Sequence, residues 1–231
     1  PWLEININSN LGVKPALVEK MVSKVNNILD NRGIKTFKLF TSIDTWGARA
    51  EYIRTGLDLS LWERNLDTYL TKTGQPISFM ITFNILSVTT FKELLKKILD
   101  WREKYNQYNK TDKPQMVRFD TPYLKEPLQY DMNILPKDQF MMYMEDSLQF
   151  MKDNLDDNNL SKFTTVEYEK FRRVVDYMRN TVYTEETIEE GKKDFYNWFN
   201  ELDIRRGTNF LKTFPELANF YSECEMLNGQ V

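Results

Sequence analysis

An α/β fold built on a parallel sheet is what this amino-acid sequence predicts, and three observations predict it. Strand-like runs recur every ~35–40 residues through the first ~125 positions, and one amphipathic helix fits between each pair. That spacing is the length a parallel crossover needs. Each helix also carries its own start and stop signals. The pattern alone leaves a barrel and an open sheet as alternatives. From about residue 126 the pattern becomes mainly helical, so the expected division is 1–125 and 126–231.

The first strand is expected at Leu3–Asn8, where apolar and polar residues alternate. A helix follows, opening at Pro15, which suits the first helical position, and closing at Gly33, read as a left-handed cap. Its apolar face is Leu17, Met21, Val22, Val25, Ile28 and Leu29. The second strand is Phe37–Ser42. The segment beyond it, around Trp46–Gly56, reads as a loop of ~17 residues, long for such a connection and therefore a candidate functional loop.

The next helix opens on Ser60-Leu61-Trp62-Glu63, read as a capping box, and stops by Gly74. The third strand is Ile77–Asn84. Thr90-Phe91-Lys92-Glu93 reads as a second capping box, and Phe91, Leu94, Leu95 and Ile98 are the buried stripe of its helix. The fourth strand is Gln115–Phe119. Beyond it, helices are expected at Pro136–Asn154, Thr165–Arg179 (capped by Thr164 and Glu167) and Glu185–Leu202, with a short one opening at Pro215. The carboxylates of Asp153–Asn159 lack the glycine and closing glutamate of a calcium loop, so that stretch is a polar loop.

Composition narrows the chemistry. The net charge is −3, from 31 basic and 34 acidic residues, which gives no basis for binding nucleic acid. Lys96-Lys97 and Arg172-Arg173 read as solvated helix faces. No apolar run approaches the ~20 residues that span a bilayer, so no membrane partner is expected. The single cysteine, Cys224, excludes an internal disulfide and points to a reducing, cytoplasmic setting. With no histidine at all, Ser–His and Cys–His dyads and His-ligated zinc are excluded. No glycine-rich phosphate loop is present either. The strand-like start without an initiator methionine predicts a piece of a longer chain, with an apolar, association-prone sheet edge near Ile5 and Ile7.

In parallel βα architectures function collects where the strands end. Here those ends are Asn8-Ser9-Asn10, Thr41-Ser42-Ile43-Asp44, Thr82-Phe83-Asn84 and Asp120. Singly, such residues commonly build turns. Together they predict a polar ligand site on one rim. Arg54, at the end of the long loop, is a candidate to grip a carboxylate with two parallel hydrogen bonds. The competing expectation for Arg54 is a structural ion pair with Glu51 or Glu63.

At this point the residues resemble a known family. Thr41-Ser42-Ile43-Asp44-Thr45-Trp46-Gly47, followed by Ala50-Glu51-Tyr52-Ile53-Arg54-Thr55-Gly56, is similar to the fourth strand and following segment of radical S-adenosylmethionine enzymes. The likeness is to members with a small twitch region for an auxiliary cluster. Leu3–Gly12 resembles the third strand, and Ile77–Ser87 the fifth. Leu202–Phe210, Phe214-Pro215-Glu216 and Phe220-Tyr221 resemble the end of the same subgroup.

The resemblance implies the later part of a partial (β/α)6 TIM-like barrel with parallel strands over 1–125, then the helical C-terminal region. It implies a four-iron, four-sulfur cluster and reductive cleavage of S-adenosylmethionine to a 5′-deoxyadenosyl radical that modifies a substrate, by family analogy a peptide. Carried over by position, Ser42 would contact the ribose or carboxylate of S-adenosylmethionine, Arg54 the carboxylate, and Asn84 the ribose or nearby substrate. Asn10, Asp44 and Asp120 would line the substrate side. The chain departs from the family where the cluster is held: one cysteine cannot supply three thiolates. The Gly-Gly-Glu segment and the auxiliary-cluster cysteines are missing as well. The expectation is therefore a fragment, inactive without an N-terminal part of the same protein. The alternatives are a non-catalytic binding or partner subunit, and a barrel hydrolase working through Asp44 and Asp120.

Overall fold

The computed structural model describes residues 3–111 and 115–229. Four strands form a parallel sheet in the order β1-β2-β3-β4: β1 Glu4–Asn8, β2 Thr36–Ser42, β3 Ile77–Met80 and β4 Val117–Asp120. Each strand lies beside its sequence neighbour, so every connection makes the same short crossover. The helices between them are α1 Pro15–Asp30, α2 Ala48–Ile53, α3 Leu59–Thr73 and α4 Phe91–Tyr105. The later part holds α5 Lys137–Asp153, α6 Thr165–Asn180, α7 Glu185–Arg206, α8 Phe210–Thr213 and α9 Ala218–Asn228. No described helix is long and apolar enough to cross a membrane.

The two faces of the sheet differ, because strand side chains alternate. One face carries Phe37, Leu39, Ile77, Phe79, Val117 and Phe119, all buried. It takes α3 through Trp62, whose ring lies 5.5 Å from Phe79, and α4 through Trp101, at 5.3 Å from the same ring. On this face α1 sets Val25 beside Phe37. All three crossover helices therefore cover one face. The register Asn8–Phe40–Ser78–Arg118 and Ser42–Met80–Asp120 makes up the other, which is polar and mixed. The buried apolar side chains run from under the sheet into the C-terminal helices as one contiguous cluster.

At β1 the sheet has an edge. Among the described residues no strand pairs with its outer side, and Ile7 is 42% exposed. Leu17 and Ile28, expected in the buried stripe of α1, are 56% and 41% exposed. Val18, Val22 and Val25 are the residues α1 buries. The helix overhangs the edge strand β1, so only the half of its apolar face toward β2 and α3 finds a partner.

Several boundaries move for local reasons. The end of α1 is a left-handed turn, but Arg32 takes it (φ 53°), while Gly33 lies outside the left-handed region. The Arg32 and Gly33 N–H groups donate to the Leu29 and Ile28 carbonyls at 2.9 and 2.8 Å, the paired pattern of a Schellman end. A Cβ at Gly33 would sit 3.1 Å from Ile28 Cγ2, so a larger residue there would require Ile28 to shift by a few tenths of an ångström. An L-residue pays for the left-handed conformation with steric strain. Arg32→Gly is accordingly expected to raise stability by about 0.5–1 kcal/mol, read as a shift of the urea midpoint at constant slope. An unchanged midpoint would refute it.

The segment read as a long loop contains α2, framed by Gly47 (φ 72°) and Gly56 (φ 81°). Neither early capping box forms. In α3 the cap is Asp58, which accepts from Leu61 N–H at 2.9 Å. Thr90 spends its hydroxyl on buried Thr45 at 2.6 Å instead of on its own helix. The box of Thr164 and Glu167 does form. The third strand leaves the sheet at Met80, and Phe83 bridges only to Tyr123. The helix expected to end at Leu202 continues to Arg206 and closes on left-handed Gly207. Pro215–Leu217 is a single 3-10 turn that runs into α9.

Candidate functional site

Where β1 and β2 end, two adjoining hollows of about 270 Å³ each share Asn10 and Ser42 as a common wall. One is completed by Asn8, Ser9, Phe40 and Met80 on the polar face of the sheet. The other is completed by Gly12, by Ile53 at the end of α2, and by Arg54, Thr55, Gly56 and Leu57 beyond it.

The loop leaving β1 is built tightly. Ser9 Oγ accepts from Leu11 N–H at 3.2 Å, and Asn10 Oδ1 from Gly12 N–H at 3.1 Å. Between them Leu11 is fully buried in the left-handed region (φ 53°), a conformation that persists only when neighbours hold it. Asn65 of α3 is the residue that holds it. Its Nδ2 donates to the Leu11 and Val13 carbonyls at 2.7 and 2.8 Å, and it is 1% exposed.

Arg54 is the charged group of this cleft. Its Nη2 lies 2.9 Å from both carboxylate oxygens of Asp44, and Asp44 also accepts from Thr82 N–H at 2.8 Å. Asp44 is 3% exposed, and its burial pushes the carboxyl above the ordinary carboxylate range against the pull of Arg54. Arg54 keeps 31% of its side chain exposed, although its Nε is buried and has no hydrogen-bond partner among the described residues. The result is a guanidinium anchored at one nitrogen, with donor capacity left for an anion. Its ion pair is with Asp44, and not with Glu51 or Glu63. Glu51 instead accepts from Leu59 N–H at 2.9 Å, and Glu63 pairs with Lys97 at 3.3 Å.

Of the residues singled out from sequence, Asn10, Ser42 and Arg54 line the cleft, and Asp44 holds Arg54 from beneath. Asn84 and Asp120 do not line it. Asn84 is 3% exposed and caps a 3-10 turn: Oδ1 accepts from Leu86 N–H at 3.0 Å and Nδ2 donates to the Thr82 carbonyl at 2.9 Å. Both ends of its amide are thereby used. Asp120 pairs with Lys170 of α6 at 3.0 Å and accepts from Thr121 N–H at the same distance. Asp44 and Asp120 thus each pair with a cation and accept from a backbone N–H, Asp44 in the interior and Asp120 with 44% of its side chain exposed.

Sequence reasoning missed Asn65. The signal was available: an amide among the buried Trp62, Leu66, Tyr69 and Leu70 of one helix has to find partners inside the protein. Cys224 does not line this cleft; it lies on α9, fully buried, and burial pushes its thiol up to about 12. No group of three or more metal-ligating side chains occurs among the described residues. No protein-family model, curated protein or solved structure matches this chain.

Proposed function

We propose that the cleft holds the carboxylate end of S-adenosylmethionine, and that this chain is the later part of a radical S-adenosylmethionine enzyme. The observation that carries the reading is Arg54, a guanidinium tethered by one nitrogen to buried Asp44 and lining a hollow with Ser42 and Asn10. Such a group suits a carboxylate, and the small polar walls suit the amino-acid and ribose hydroxyl groups around it. Parallel strands in sequence order, with all crossover helices on one face, support a partial barrel over a doubly wound sheet, which places helices on both faces.

The cluster itself does not fit the residues present. It requires three thiolates, and the one cysteine is buried in the C-terminal helices. No step of radical formation is therefore assigned to this chain; its share is to bind and orient the cofactor. The cluster would be held by the N-terminal part of the same protein. The apolar groove of Ile5, Ile7, Leu17, Met21 and Ile28 beside the open edge of β1 supports a docking place for that part.

The test is calorimetric titration with S-adenosylmethionine. Arg54→Met is expected to weaken binding about 10- to 100-fold, the loss of a charge-assisted contact. Arg54→Lys, which keeps the charge beside Asp44 but not the fork, should lie between. Equal affinity in all three proteins, or no binding by the wild type, would overturn the reading.

A further inference from the structure

The helix that delivers Arg54 cannot hold itself. At six residues, α2 is under two turns long, and isolated helices of that length are unstable in water. Its position is set by residues from the other end of the chain. Tyr52 donates its hydroxyl to Asp203 at 2.9 Å, across 151 positions of sequence. Asp203 is itself fixed by the Thr208 hydroxyl at 2.6 Å and the Phe210 N–H at 2.5 Å. The Tyr52 ring meets Phe210 and Phe214 edge-on, with centroids 5.9 and 5.3 Å apart. Arg206 reaches back to the Tyr52 carbonyl at 3.3 Å.

The opposite end of α2 is held as firmly. Arg49 sets Nε and Nη2 on the two oxygens of Glu216 at 3.0 and 2.8 Å, a fork-to-fork pair. Glu216 accepts a third bond, from the Thr89 hydroxyl at 2.7 Å, so the clamp also grips the segment after β3. Arg54 begins where this held turn ends: its N–H donates to the Ala50 carbonyl at 3.0 Å. None of Arg49, Tyr52, Asp203 and Glu216 lines the cleft.

We infer that α7, α8 and the turn after them are a clamp on α2, and that Arg49, Tyr52, Asp203 and Glu216 are positioning residues for the Arg54 guanidinium. The helical half of the chain thereby controls the geometry of a site built on the sheet half. A guanidinium that must meet a carboxylate along two parallel bonds tolerates little displacement, so loosening α2 costs affinity without removing any ligand contact. The binding consequence rests on the cleft reading given above; the clamp itself does not.

The experiment compares backbone hydrogen exchange and S-adenosylmethionine binding of the full chain with those of Tyr52→Phe and Glu216→Gln. Arg205→Ala is the control, since it breaks only an exposed ion pair with Glu201 on the same helix. Both clamp variants are expected to speed exchange over residues 48–57 about tenfold or more, with β2 and β3 unchanged and the control like the wild type. Affinity should fall about tenfold in the same two variants. Exchanging the charges, Arg49→Glu with Glu216→Arg, should restore both readouts relative to either single change. Unchanged exchange over 48–57, or a uniform rise across the chain, would overturn the clamp. A wild type that binds no S-adenosylmethionine would overturn the cleft reading alone, and the exchange pattern would still decide the clamp.

Discussion

Replacing Arg102 with methionine is expected to lower the stability of the folded chain by about 3–5 kcal/mol, because a buried carboxylate then loses its cation. Arg102 is 0% exposed, in the last turn of α4. Its Nε donates to the Val117 carbonyl of β4 at 2.9 Å, and its Nη1 to the Lys162 carbonyl at 2.7 Å. Its Nη2 meets Glu167 of α6 at 2.5 Å. The guanidinium also lies over the rings of Phe119 and Phe163, at 5.8 and 5.6 Å from their centroids. One side chain thus ties α4, the last strand, the loop before α6 and α6 itself.

Methionine fills much of the same space but donates nothing, so Glu167 and two carbonyls are left with unmet acceptor capacity in the interior. Urea unfolding followed by tryptophan fluorescence gives the number. A loss under about 1 kcal/mol would mean that water or neighbouring donors replace Arg102. The double change Arg102→Met, Glu167→Met is expected to recover part of the loss, since two apolar partners leave no buried charge behind. Recovery will be incomplete, because Glu167 also accepts from Thr164 N–H at 3.0 Å in the capping box of α6.

Asn65→Leu is the second large effect, expected at about 2–4 kcal/mol through the two carbonyls it strands. Leucine keeps the branched skeleton of asparagine but puts a methyl group where the amide met the two carbonyls, so lost hydrogen bonds and crowding act in the same direction. The carbonyls of Leu11 and Val13 belong to the loop that forms one wall of the cleft, with Leu11 in a left-handed conformation. The same substitution should therefore release the loop and weaken S-adenosylmethionine binding together with stability. The paired readout is urea unfolding and calorimetric titration of one protein. A stability change below about 0.5 kcal/mol would show that the loop holds its shape without Asn65.

Much of the fold was legible because local physics decides it. The stripe of α4, the cap of α6 and the turn at Gly74 all follow from residues within a few positions of each other, and the structure contains them. The same local logic failed where a side chain had a better distant partner. Thr90 looks like a cap by its neighbours, yet its hydroxyl meets Thr45, and Arg54 pairs with Asp44 across the strand end. The rim was legible as a collection of polar strand ends. Which of them face a cavity was not, since Asn84 and Asp44 look equivalent in sequence but one closes a turn and the other anchors a cation.

Periodicity, punctuation and composition by themselves determined an alternating strand–helix chain with parallel strands, a helical second half, no histidine and one thiol. They also gave β1 one apolar and one polar face, because Ile5 and Ile7 alternate with polar residues. Only the tertiary structure decided that all crossover helices share one face, that Arg102 is a buried linchpin, and that the C-terminal helices grip the helix carrying Arg54. Those facts depend on pairings across long stretches of chain. A charged side chain carries no local mark of whether its partner will be water, a ligand or a carboxylate brought in from the far end of the sequence.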